Sequence, residues 1–296
     1  MKREYMVRKE VREMKSEKAI MLFLANQNAE TTRKVYGWEV RKFFELIGKD
    51  DPEKVTIEDL LKVKTDSEHL APVTQLRRLV VLRQFFRFCV EAGITEQDPT
   101  RGVKLPKHTV KAPKPLTKQE AEKLLKAITT KTLTGKRDKA IVTLMLTTGI
   151  RLSECLALDT DSINKQGRHW VLEIRGKGNG VETVKLLPKV KRILDDYVKA
   201  RGGSASPLFV SIRGTRLKSR AVQLRLAEYG EKAGLKRRVR PHDLRHTFAR
   251  LSHQNGADVL LIQEALRHKS LETTQVYLSR MSRLDKSAFD LMPSLV

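Results

Sequence analysis

Thr148-Gly149-Ile150-Arg151-Leu152-Ser153-Glu154 sets an arginine directly behind a glycine break, where one helix stops and another starts. Upstream, Lys136 to Thr147 reads as a buried helix that ends at Gly149. Downstream, Arg151 to Leu158 continues as a short helical stretch. Then the period changes. His169 to Arg175 and Val181 to Leu187 are rich in β-branched and apolar residues and flank Gly176, Gly178 and Gly180, which predicts a β-hairpin. Pro207 to Val210 is expected to add a strand. Thr117, with Glu120 three residues on, has a capping-box pattern and opens a helix through Leu124 and Ile128. Further helices are expected near 189–200, 217–233, 242–254, 258–266, 271–279 and 284–291. The fold class is mainly α with a small β-sheet.

The chain has 296 residues, a length that suits two domains. Its first part reads as four helices: Val11 to Asn26, Ala29 to Ile47, Thr56 to Val63 and Val73 to Ala92. In the second, Val40, Phe43, Phe44 and Ile47 share one face, and Gly48 supplies the stop. In the fourth, Leu76, Leu79, Val80, Arg83 and Arg87 fall close to helical spacing. Residues 98–115 hold Pro99, Gly102, Pro106, Pro113 and Pro115 and read as a stiff, basic linker. The expected division is a helical domain over 1–108, which the resemblance described below makes a core DNA-binding domain, a linker over 109–115 and a second domain over 116–296.

The net charge is +24, far above what solubility needs, so a polyanion such as nucleic-acid phosphate is the expected partner. The excess is uneven: +5 over residues 1–110 and +19 over 111–296. Cys89 and Cys155 lack CxxC spacing, so they read as buried free thiols of a cytoplasmic protein, not as a zinc site or a disulfide. The run Ala19 to Ala25 is too short to span a bilayer, and the acidic residues before it argue against a signal peptide.

Two more strings carry chemistry. Pro241-His242-Asp243-Leu244-Arg245-His246-Thr247-Phe248 puts His242 and Arg245 on one helix face. Leu266-Arg267-His268-Lys269-Ser270 precedes Thr273-Thr274-Gln275-Val276-Tyr277-Leu278, so a histidine closes one helix and a tyrosine rides on the next. Taken singly, each has a plain reading: a surface arginine, a cap, a half-buried aromatic. His242 and His246 also have the spacing of an HExxH zinc site, but Asp243 is one methylene short of the usual base and Arg245 would set a cation beside the metal. No metal is expected.

In this order and combination the strings resemble the tyrosine recombinase (phage integrase) family, over essentially the whole chain. The resemblance implies a catalytic set of Arg151, Lys177, His242, Arg245 and His268, a nucleophile at Tyr277 and a supporting acid at Glu154. Lys177 is placed by the hairpin turn Arg175-Gly176-Lys177-Gly178. Arg267 departs from the pattern, since family members commonly carry glycine before that histidine. The implied enzyme is Xer-like or transposon-resolvase-like: a DNA strand transferase with no cofactor, working through a 3′-phosphotyrosyl ester and a Holliday junction. Its partners would be a double-stranded recombination site, three further protomers in a tetramer, and a possible partner recombinase or accessory DNA-binding protein. A C-terminal helix with Leu284, Ala288 and Leu291 in a stripe would dock on a neighbouring protomer. Arg77, Arg83, Arg87, Lys104 and Lys107 are candidate DNA-binding residues. The alternatives are a non-catalytic DNA-binding regulator on the same fold and a metal-dependent nuclease.

Overall fold

A computed structural model describes residues 15–106, 114–175, 180–202 and 206–267. The chain divides into two compact units, Met1–Val110 and Lys111–Val296, each with a hydrophobic core of its own.

Among the described residues, the first unit contains α1 (Lys15–Ala25), α2 (Glu30–Ile47), α3 (Ile57–Asp66) and α4 (Pro72–Glu91), with a 3-10 turn at Pro52–Lys54. Its core is aromatic. Phe23 meets Phe85 edge-on with ring centroids 5.5 Å apart, and Phe85 meets Phe86 at 5.1 Å. Such pairs contribute about 0.5–1.5 kcal/mol each beyond the area they bury. The helix expected over Val73 to Ala92 is present as α4, and its buried face is set by its phenylalanines. That face comprises Leu79, Val81, Leu82, Phe85, Phe86 and Cys89, while Arg87 is exposed. Of the five residues noted for their helical spacing, Leu79 is buried; the interior is taken mainly by the phenylalanines and their neighbours, which bury the most apolar area.

The proline-rich segment also departs from its reading as linker throughout. Asp98 accepts hydrogen bonds from the Thr100 amide (2.8 Å) and hydroxyl (2.6 Å), and Val103 is buried in the first core. Arg83 Nη2 donates to the Val103 carbonyl at 2.8 Å. Residues 98–103 are therefore a folded turn of the first unit, held by an Asx-type cap and one apolar anchor.

The second unit begins with α5 (Lys118–Ala127), whose N-cap Thr117 accepts from the Glu120 amide at 3.1 Å while Glu120 Oε2 receives the Thr117 amide at 2.8 Å. Then come α6 (Leu133–Thr148), α7 (Leu152–Ala157), β1 (Ile163–Gln166), β2 (His169–Arg175), β3 (Val181–Leu186), α8 (Pro188–Arg201), α9 (Ser219–Lys232), α10 (Pro241–Gln254) and α11 (Val259–Leu266). α6 is the axis of this core: Ala140, Ile141, Leu144 and Met145 are all buried. The sheet is antiparallel in the order β1-β2-β3, with Arg175 opposite Val181 at the tip of the hairpin. β1 was not expected, because Ile163-Asn164-Lys165-Gln166 offers a single apolar residue; it pairs with β2, Ile163 opposite Leu172, and Ile163 packs against the core. The strand expected at Pro207 to Val210 is absent. There Leu208 and Phe209 plug the core from a loop, and only an isolated bridge joins Val210 to Arg216. The expected helices at 271–279 and 284–291 lie outside the described residues.

Both cysteines are free and buried. Burial pushes the Cys89 thiol up to about 12 and raises that of Cys155 as well, so both are protonated at neutral pH.

A buried ionic knot ties α6 to α9. Asp138 Oδ1 accepts from Arg137 Nε (2.9 Å) and Nη2 (2.8 Å), and its Oδ2 accepts from Arg225 Nε and the Tyr229 hydroxyl, both at 2.8 Å. Arg137 spends a further donor on the Val210 carbonyl at 2.9 Å. Removing the carboxylate strands a buried guanidinium and a buried phenol together. Asp138→Ala is expected to destabilise the protein by about 3–5 kcal/mol in a urea melt, the usual cost of breaking one partner out of a buried pair. A loss below about 1 kcal/mol would show that the knot contributes nothing beyond packing.

Candidate active site

α6 ends where Gly149 takes φ 63°, its amide still bonded to the Met145 carbonyl at 3.0 Å. A β-carbon there would stand 2.6 Å from the Phe248 ring and 2.7 Å from Leu266, so the position tolerates glycine for its space as well as its φ. The turn buries Ile150 and delivers Arg151 to the N-cap of α7. Glu154, one turn on, accepts the Arg151 amide at 3.0 Å on Oε2 and Arg151 Nη1 at 2.6 Å on Oε1. Burial works to raise the Glu154 pKa, but the Arg151 amide and guanidinium and the nearby Arg267 outweigh it and hold the carboxyl below its ordinary value.

α10 approaches the same place from another direction. Pro241 fills its first position, and Asp243 Oδ2 caps it by accepting the Arg240 amide at 2.8 Å and Arg237 Nη1 at 3.2 Å. His242 stands on the rim. Arg245, one turn later, is only 2 % exposed, and its guanidinium donates to the carbonyls of Gly149 and Leu266. Arg151, Arg240, His242 and Arg245 line one cleft of about 430 Å³, floored by Met145 and Ile150. Partial burial first, and then the guanidiniums of Arg245 and Arg151, lower the His242 pKa from the ordinary histidine value; Asp243 pulls weakly the other way. These surroundings favour the neutral imidazole, beside the guanidiniums of Arg245 and Arg151. Such a cleft is built to receive an anion and offers a neutral base beside it.

The structure therefore brings together Arg151, Glu154, His242 and Arg245, positions up to 94 residues apart in sequence. Lys177, His268, Tyr277 and Lys107 lie outside the described residues. In the first unit, Arg77 Nη2 pairs with the buried Glu39 at 2.7 Å, Arg83 is bonded to Val103, and Arg87 pairs with Glu91 at 2.9 Å. Lys104 is exposed. Sequence reading missed Arg240, whose only signal was its place just before Pro241-His242, and Glu182, which pairs with Arg267. Among the described residues, no three His, Cys, Asp or Glu side chains group as metal ligands, and the Asp243 carboxylate beside His242 and His246 is taken up by its cap. No helix among them is long and apolar enough to cross a membrane.

Two other tyrosines of this unit are engaged elsewhere. Tyr197 is fully buried, its hydroxyl accepting the Val210 amide at 3.2 Å. Tyr229 donates to Asp138, and its burial and that carboxylate push its pKa up to about 12.

Residues 114–282 match the model of the phage integrase family. The tyrosine recombinase XerC of Thermodesulfovibrio yellowstonii is 34% identical over 272 residues, covering 86% of this chain and 87% of that protein. Among solved structures, the XerH site-specific recombinase in a post-cleavage complex with palindromic difH substrate is similar with a TM-score of 0.74 at 22% identity, over 88% of this chain and 78% of that one. A lambda integrase tetramer bound to a Holliday junction is similar with a TM-score of 0.74 at 17% identity, over 88% of this chain and 75% of that one. Fold, sequence and the arginine-histidine cleft agree: the chain belongs to the phage integrase family and is a tyrosine recombinase.

Proposed function

We propose that this recombinase cuts and rejoins DNA through a covalent ester between Tyr277 and the scissile phosphate, held in the cleft of Arg151, His242 and Arg245. The observation that carries this reading is the convergence of two guanidiniums and an imidazole on one cleft. In the step proposed, the Tyr277 oxygen adds to phosphorus and the bond from phosphorus to the 5′ oxygen breaks. The phenol proton passes to His242 or His268, and the departing 5′ oxygen takes a proton from Lys177. The products are a 3′-phosphotyrosine and a free 5′ hydroxyl. Attack by the 5′ hydroxyl of another strand reverses every bond change, so no oxidant, nucleotide or water is consumed. Arg151 and Arg245 would stabilise the charge that builds on the non-bridging oxygens. Forming phenolate from a phenol of ordinary pKa costs about 4 kcal/mol at pH 7, which the surrounding cations and a neutral base reduce.

DNA-binding by the first unit is part of the same proposal. Of Arg77, Arg83 and Arg87, Arg87 is the freest to turn onto a phosphate, since its pair with Glu91 is exposed on both sides and such pairs contribute at most about 1 kcal/mol. Arg77 and Arg83 are tied to Glu39 and to the Val103 carbonyl. Lys104 is exposed and is a further candidate for a phosphate contact, as is Lys107 by its charge. Assembly as four protomers on two sites, passing through a Holliday junction, follows the state in which lambda integrase was captured. A partner recombinase or accessory protein would add to that assembly.

On a nicked suicide substrate in EDTA, wild type should yield a protein–DNA adduct that survives detergent. Tyr277→Phe should yield none while its DNA affinity stays within about two-fold, since only a hydroxyl is lost. An adduct in the Phe variant, or adduct formation that requires a divalent metal, would remove Tyr277 from the role. A regulator without chemistry gives no adduct with either.

The His242 assignment makes a pH prediction. Cleavage needs the neutral imidazole, so the rate at sub-saturating DNA should fall on the acid side, with a midpoint below the ordinary histidine value of 6.5. His242→Gln should flatten that limb. A midpoint at or above 6.5, or an unchanged limb in the variant, would assign the proton transfer to another group.

A further inference from the structure

Arg267 follows α11 with φ 54°, the one non-glycine residue with positive φ among those described. Glycine adopts this conformation freely, whereas an arginine there crowds its β-carbon against the backbone. Its side chain is nonetheless only 9 % exposed and is held by two carboxylates. Nη2 donates to Glu154 Oε2, and Nε lies 2.8 Å from Glu182 Oε2, an ion pair off the line of a well-aimed hydrogen bond. Glu154 in turn holds the backbone and the guanidinium of Arg151. An unbroken chain of charge therefore runs from β3 to the wall of the cleft: Glu182, Arg267, Glu154, Arg151. Two cations balance two anions, and each inner member is shared.

We propose that Arg267 is a positioning residue for DNA cleavage: it fixes the Glu154 carboxylate so that Arg151 turns its remaining N–H donors to the scissile phosphate. This inference rests on the reading of the cleft given above. Two physical needs support it. The Arg151 side chain is 40 % exposed, so its direction depends on Glu154, its side-chain anchor among the described residues. An arriving phosphate also brings a second negative charge close to Glu154, and without a cation behind it that carboxylate would turn away or take up a proton. Arg267 supplies that cation from the side away from the cleft, and Glu182 keeps it there.

The test compares single-turnover cleavage by the full chain on two nicked substrates. One carries the normal phosphodiester. The other carries a methylphosphonate at the scissile position, which has no negative charge for Arg151 to neutralise. Arg267→Gly relieves the left-handed backbone and removes the cation. It is expected to bind DNA within about two-fold of wild type and to cleave the phosphodiester on the order of 100-fold more slowly, the scale of a misplaced reacting group. On the methylphosphonate the deficit should shrink to about ten-fold or less, as it should for Arg151→Ala. Arg267→Lys keeps the charge but cannot hold both carboxylates as a fork does, so its deficit should be intermediate on the phosphodiester. Wild-type cleavage by Arg267→Gly, or equal deficits on the two substrates, overturns the proposal. Should the glycine variant lose DNA binding, the lysine variant decides by the same comparison. If wild type forms no adduct on either substrate, the reading of the cleft has failed, and this inference with it.

Discussion

A single buried cation organises the second unit. The Arg245 guanidinium sits inside the protein and donates to the carbonyls of Gly149 and Leu266. These carbonyls close α6 and α11, and carbonyls at helix C-termini lack intrahelical partners and carry the negative end of the helix dipole. A charge that would be costly to bury alone is thereby matched to two partial charges that would also be costly to bury alone. The same contact fixes three places at once: the end of α6 from which Arg151 departs, the first turn of α10 that carries His242, and the end of α11 that leads to His268. Exchanging Arg245 for lysine would keep the charge but lose the fork that spans two helix ends.

Around this centre, strain and charge offset each other. A left-handed arginine costs about 1–2 kcal/mol in backbone energy. Two carboxylates draw Arg267 into that conformation, and one of them also serves Arg151. The one non-glycine departure from local preference among the described residues stands at the end of α11, one carboxylate away from Arg151.

Much of the fold was legible because glycines, prolines and apolar periods punctuate the chain in step with its elements. Gly48 and Gly149 mark helix ends, Thr117 and Glu120 cap a start, and the glycines after Arg175 mark the hairpin. The failures are equally local. β1 rests on backbone pairing that side-chain alternation does not signal, and Leu208 and Phe209 look like a strand because a buried loop is apolar for the same reason a strand is. The cleft is different in kind. Arg151 and Arg245 meet through tertiary packing, and no spacing rule joins positions so far apart; only the resemblance of the three strings to a known family did so. The bond from Arg267 to Glu154 and Glu182 had no such guide. In sequence, Arg267 showed only as an arginine where glycine is usual.

The two thiols open a practical route to the motions of this enzyme. Cys89 and Cys155 are both sealed in core packing and protonated at neutral pH, so maleimide reagents meet no native thiolate on the folded surface. A cysteine placed on an exposed helix position in each unit would then be the only reactive pair. Fluorophores attached there would report, molecule by molecule, whether the distance between the units depends on DNA, without first stripping the native sulfur from the protein.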